Sequence, residues 1–139
     1  MKTVINIMLF LIILFLFSCE KLDTIVKCSE CIPAEPESTD LIIMLEYGSN
    51  IPAVVRIYEG ELEDNILRTS FNTLASESTF PVNLNKKYTV TATYEFKGIT
   101  YIAVDSAIPR VKYVSGQCDD PCYYVYNRTV DLRLKYTVH

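Results

Sequence analysis

The chain has 139 residues, half of them apolar, with 22% charged and a net charge of −4 at neutral pH. That mixture fits one folded domain and is neither disordered nor polytopic membrane protein. Its single histidine is the last residue, His139, and only four glycines are present, so a Ser-His-Asp triad, a histidine-ligated metal site and a glycine-rich phosphate loop all lack their parts. No catalytic residues, no metal and no cofactor are assigned from the sequence, and the chain reads as a non-enzyme.

The first element is an export signal over residues 1–18. Lys2 precedes an apolar run from Val4 to Phe17, interrupted only by Asn6. The run is about 14 residues, the length of a signal-peptide apolar region and short of the roughly 20 that span a bilayer. It ends Leu16-Phe17-Ser18-Cys19. This resembles the lipobox of bacterial lipoproteins, in which a branched apolar residue and two smaller residues precede an acylated cysteine. Phe17 is bulkier than the usual residue there. The resemblance implies cleavage before Cys19, lipidation of Cys19, and attachment to the membrane through N-terminal acyl chains as an outer-membrane lipoprotein of the cell envelope. Two or more acyl chains anchor firmly where one binds reversibly. Removing Lys2 with the signal makes the mature chain more acidic still, so nucleic acid is not an expected partner.

Residues 19–39 are expected to form the lipidated cysteine and a flexible tether. The segment ends in Pro33-Ala34-Glu35-Pro36-Glu37-Ser38-Thr39, which has little apolar surface with which to offset the cost of ordering. Residues 40–139 then read as an all-β domain. Period-two alternation predicts strands at Leu41–Tyr47, Ala53–Tyr58, Asn65–Phe71 (the weakest), Thr79–Leu84, Tyr88–Phe96, Ile99–Val104, Val111–Val114 and Val130–Tyr136. Pro81 marks its strand as an edge or a bulge, and Lys97-Gly98 predicts a two-residue hairpin. Seven or eight short strands with turn signals every 8–12 residues predict an Ig-like antiparallel β-sandwich.

Ala53-Val54-Val55-Arg56-Ile57-Tyr58, Thr79-Phe80-Pro81-Val82-Asn83-Leu84 and Lys87-Tyr88-Thr89-Val90-Thr91-Ala92 resemble, in that order, three strands of prealbumin-like (transthyretin-like) modules. These include the carboxypeptidase regulatory-like and collagen-adhesin B-type repeats. The Asp-Gly turn usual before the Phe strand is replaced by Ala75-Ser76-Glu77-Ser78. The resemblance implies a prealbumin-like sandwich on a small lipoprotein of the kind carried by gut-type Gram-negative anaerobes. The Lys–Asn isopeptide bond of the collagen-adhesin relatives is not expected, since Leu41–Tyr47 has no lysine and Arg128–Val138 no asparagine.

Four further cysteines fall in two pairs, Cys28/Cys31 and Cys118/Cys122. In an exported domain they predict two disulfides. Of three connectivities one is local and two cross between the pairs. Crossing is favoured, because a cysteine pair in a tether otherwise has no structural purpose. Two rivals remain: four thiolates around zinc, and a redox Cys-x-x-Cys, which would need a helix where Pro33 and Pro36 stand.

Tyr113, Tyr123, Tyr124 and Tyr126 concentrate aromatic area in one stretch and form a candidate contact patch for a protein or glycan partner. Alternation sends Tyr124 and Tyr126 to one face and Tyr123 to the other. Asp23-Thr24-Ile25 and Asp105-Ser106-Ala107 resemble acceptors for O-glycosylation at Thr24 and Ser106 in that bacterial group, and Asn127-Arg128-Thr129 fits an N-glycosylation pattern. Glu59, Glu61, Glu63 and Asp64 around Gly60 read as a solvated turn, with a weak calcium site as the sharper alternative. The expected role is a non-catalytic, membrane-anchored binding or assembly module. The alternatives are a carbohydrate-binding accessory of a glycan-uptake system and a cysteine-based zinc or redox protein.

Overall fold

A computed structural model describes residues 26–46, 51–119 and 121–134. The signal, Cys19, Thr24, Tyr47 and Tyr136 lie outside these residues. The described chain is all-β. It forms β1 (Ser38–Met44), β2 (Ala53–Glu59), β3 (Leu67–Thr73), β4 (Glu77–Asn83), β5 (Tyr88–Phe96), β6 (Ile99–Ala107), β7 (Arg110–Val114), β8 (Cys122–Tyr126) and β9 (Thr129–Asp131), with 3₁₀ turns at Cys28–Glu30 and Leu62–Asp64. No helix among these residues is long and apolar enough to cross a membrane.

The strands make three sheets, ordered β4-β1-β9, β3-β2-β5-β6 and β7-β8. One core joins the first two. Leu41, Ile43 and Leu45 from the β1 segment, Val82 from β4, and Val130 and Leu132 from the β9 segment meet Val55 and Ile57 of β2 and Tyr88, Val90, Ala92 and Tyr94 of β5. These are the inward positions that the alternation marks, and each fully buried aliphatic side chain contributes about 1.5–3 kcal/mol. The β5–β6 hairpin turns at Lys97-Gly98 with Phe96 paired to Ile99, both turn residues at positive φ (50° and 77°), as a two-residue hairpin of this twist requires.

Pro81 sits on β4, the outer strand of its sheet. The bonds Leu45 N–H to Ser76 C=O and Leu84 N–H to Glu37 C=O put the odd-numbered residues of β1 in the hydrogen-bonded pairs with β4. Pro81 pairs with Asp40, in the other set, so its missing N–H faces outward and costs no ladder bond.

Three features depart from expectation. The described residues form nine strands in three sheets rather than seven or eight in two, because the aromatic run Cys122–Tyr126 is itself a strand and pairs only with β7. The pairing is not wholly antiparallel: β9 runs parallel to β1, Ile42–Met44 against Thr129–Asp131. The last strand is also short; β9 stops at Asp131, where the Asp131 carboxylate takes the Arg133 backbone N–H and guanidinium.

Residues 26–39, expected to be part of a spacer, are held against the domain. Val26 is buried with Val114 and Cys122. Ile32 and Tyr123 exchange both backbone hydrogen bonds, at 3.0 and 2.9 Å. Composition alone underrates this segment because its order comes from covalent links rather than from apolar area.

Candidate functional site

In a 3₁₀ turn, side chains three residues apart eclipse one another. The Cys28–Glu30 turn therefore presents Cys28 and Cys31 on one side. Opposite them, Cys122 opens β8 and Cys118 lies in the loop that leads to it. The bonds formed are Cys28–Cys118 and Cys31–Cys122, with Cα atoms 5.8 and 4.7 Å apart and sequence separations of 90 and 91. Both bonds cross between the pairs. The sulfurs of Cys31 and Cys118 are 3.6 Å apart. Zinc would need these sulfurs as thiolates; here all four are oxidised in pairs.

Next to the stapled segment lies a groove of about 620 Å³, lined by Glu30, Ile32, Thr39, Ile42 and the run Tyr124 to Thr129. One wall is the stapled segment, another is β1, and the third is β8 with the corner that follows it. Asn127 makes that corner. Its φ of 55° is left-handed, a conformation asparagine tolerates better than most residues. Its side-chain amide donates to the Ile108 carbonyl at 3.0 Å. The half-buried Arg128 reaches β1, where its guanidinium donates to Thr39 Oγ1 at 3.4 Å. Arginine carries five N–H donors, and among the described residues this is the guanidinium's one hydrogen bond to protein, while Arg128 lines the groove.

The four tyrosines do not form one patch. Tyr113 and Tyr123 are directly paired across β7 and β8, with ring centroids 5.2 Å apart. Tyr124 and Tyr126 stand on the opposite face, as the alternation requires, and line the groove. The contact patch expected from the sequence is thus two surfaces, divided by the period of two in β8.

Ser106 is exposed on β6. Its neighbour Asp105 is committed to structure: one carboxylate oxygen accepts the Ser106 N–H and the other the Asp131 N–H, both at 2.8 Å, which ties β6 to β9. The acidic turn is likewise engaged. Glu59 pairs with Lys86 and Arg68, Glu61 pairs with Lys87, and Asp64 accepts the Glu61 N–H. The Lys86 hydrogen bond, aided by the charges of Lys86 and Arg68, holds the Glu59 carboxyl below its ordinary range.

Arg128, Thr39, Glu30 and Ile32 escaped the sequence reading as site residues. Arg128 and Thr129 were visible only inside an N-glycosylation pattern. Ile32 carried one signal, its place directly after a cysteine of a crossing pair. No family model, curated protein or solved structure matches this chain.

Proposed function

We propose that this protein is a non-catalytic binding or assembly module, anchored at the cell envelope through an acylated Cys19, with the groove beside Tyr124, Tyr126 and Arg128 as its contact site. The observation that carries this reading is the position of the staples. Cys28 and Cys31 hold one wall of the groove, and Cys28 lies nine positions after Cys19. Fully extended, that stretch spans about 30 Å, so a lipid on Cys19 keeps the groove near the bilayer surface. Crossed disulfides in so small a domain also suit an oxidising compartment outside the cytoplasm.

A prealbumin-like sandwich is the fold we assign. The three stretches that carry the resemblance fall on β2, β4 and the start of β5, and the β4-β1-β9 and β3-β2-β5-β6 sheets share one core.

Metabolic labelling with radioactive palmitate tests the anchor. The wild-type chain takes up label and sediments with membranes, whereas Cys19→Ala takes up none; label in Cys19→Ala overturns lipidation there. A photo-crosslinking residue at position 126 in intact cells tests the site, with the same residue at exposed Asn72 of β3 as control. Adducts confined to position 126 support the groove, and equal labelling at both positions overturns it. A glycan array separates the carbohydrate-binding alternative, which requires specific sugar retention that Tyr124→Ala abolishes.

A further inference from the structure

Two strands with backbone groups unpaired among the described residues border the groove: β1, whose Thr39 and Ile42 line it, and β8, whose Tyr124, Val125 and Tyr126 line it. Along β1, Ile42 donates its N–H to the Arg128 carbonyl, and Met44 accepts from the Leu132 N–H. The even-numbered residues of β1 therefore direct their backbone groups to the β9 side. β9 begins only opposite Ile42, because the left-handed Asn127 turns the chain away before it. The N–H and C=O of Asp40 point the same way, past the start of β9, and have no hydrogen-bond partner among the described residues. Along β8, the double bond pattern with Ile32 places the backbone groups of Tyr123 on the side away from β7. By the same alternation those of Val125 point there too. A second bridge to Val125 would require Glu30 to continue the strand, but Glu30 is held in the 3₁₀ turn by its own bond to the Lys27 carbonyl at 2.9 Å. Val125, like Ile42 of β1, lines the groove.

From this juxtaposition we infer that the groove takes an extended segment of a partner polypeptide as an added β-strand, hydrogen-bonded to Asp40 on one side and Val125 on the other. Exposed strand edges bind extended peptides through main-chain hydrogen bonds, with side-chain pockets adding specificity. Here Tyr124 and Tyr126 offer aromatic surface, and the remaining Arg128 donors suit a carbonyl or carboxylate of the incoming strand. The inference rests on the groove being the contact site and adds the class of partner.

A random heptapeptide library displayed on phage, panned against the full-length chain in detergent, supplies the probe. Enriched peptides, made synthetically, should slow amide hydrogen exchange at Asp40 and Val125 by about tenfold or more. Each amide of an inserted strand faces one edge or the other. N-methylation at consecutive central positions should therefore cost about tenfold each time, whereas a peptide read through its side chains tolerates it. Val125→Pro removes the donor that faces the groove and should weaken binding similarly, with Val111→Pro, which removes a donor on the far edge of β7, as the tolerated control. Peptide mapping of the two disulfides shows whether each proline variant folds, and if it does not, exchange and N-methylation decide. Enrichment of no peptide, or binding that leaves both amides unchanged and survives N-methylation, overturns the strand. Oligosaccharide binding that protects neither amide overturns it as well. Crosslinks confined to position 126 would, in each of these cases, leave the contact site standing while the strand falls.

Discussion

The two-sheet body and the β7–β8 hairpin are held together by different means. The body closes over fourteen buried residues drawn from β1, β2, β4, β5, β6 and β9 and the residues next to them. The hairpin region buries three, Val26, Val114 and Cys122, and a two-stranded hairpin is at best marginal alone in water. Two disulfides stand where a core would otherwise be needed. A small domain can thus hold the hairpin wall of an exposed groove in place with little apolar burial beneath that wall, provided the chain is closed covalently at that point.

Removing the covalent part should break this contrast most sharply. In the chain-entropy picture a first bond across about 90 residues stabilises by roughly 4–5 kcal/mol, and the second, closing only the few residues between the two, adds about 2 kcal/mol. Cys28→Ser with Cys118→Ser, or Cys31→Ser with Cys122→Ser, should therefore each cost about 2 kcal/mol, because the remaining bond still closes the long loop. All four substitutions together should cost about 6–7 kcal/mol, more than the sum of the two pairs. Thermal melting of the three variants checks this; strict additivity would mean that the bonds do not share one loop.

Inside the body the comparable stitch is polar. The Tyr94 hydroxyl, on buried β5, donates to the Leu132 carbonyl at 2.9 Å and accepts the Glu46 N–H at 3.3 Å, joining both sheets across the core. Tyr94→Phe strands those two backbone groups and should cost about 1–3 kcal/mol in denaturant unfolding. Burial pushes the Tyr94 hydroxyl pKa above its ordinary value of 10, with the Glu46 and Asp131 charges adding and the Glu46 hydrogen bond opposing. A raised pKa stabilises the protonated, folded form. Its contribution is complete below about pH 10 and is lost as pH climbs through the folded value. Wild type should lose stability in that alkaline window more steeply than Tyr94→Phe; equal slopes would remove Tyr94 as the cause.

Gly60 tests a corner of the body away from the hairpin. Its φ is 89°, and a Cβ there would meet Asp64 Oδ2 at 2.6 Å. Gly60→Ala should cost about 1–2 kcal/mol through backbone strain, with the disulfide variants unaffected in their order. Smallest of all is the Glu59 cluster. Its lowered pKa means a contribution present above the unfolded carboxyl range and lost as pH falls through the folded value. The group is exposed, so the acid-side loss of Glu59→Gln relative to wild type should be slight and should vanish in high salt.

The body was largely legible in the sequence. Tyr88–Phe96 alternates without interruption and forms β5 over those residues, and Ala53–Tyr58 extends by one residue to become β2. Thr79–Leu84 and Leu41–Tyr47 were found with their ends shifted toward the N-terminus, since side-chain periodicity marks faces and not hydrogen-bond limits. The hairpin region was less legible. The cysteine spacing announced a bond across the chain but not which sulfur meets which. Composition made residues 19–39 a tether, because nothing in Cys28–Pro36 shows that Ile32 will bridge Tyr123. The groove was hidden for the same reason: its walls come from positions 30, 39 and 128, which only the crossed bonds and the parallel pairing of β9 bring together.

The sulfur bridges also determine where a mechanical load would enter the protein. Tension applied to the chain ahead of Cys28 reaches β7–β8 through Cys28–Cys118 and Cys31–Cys122 before it can act on the hydrogen bonds of β1. The backbone between Cys31 and Ser38 is thereby shielded, as a cable is by a strain relief at its socket. A domain leashed by its N-terminal end would yield at that point only when covalent bonds are reduced or broken, while the ladder between β1 and β4 carries none of the pull.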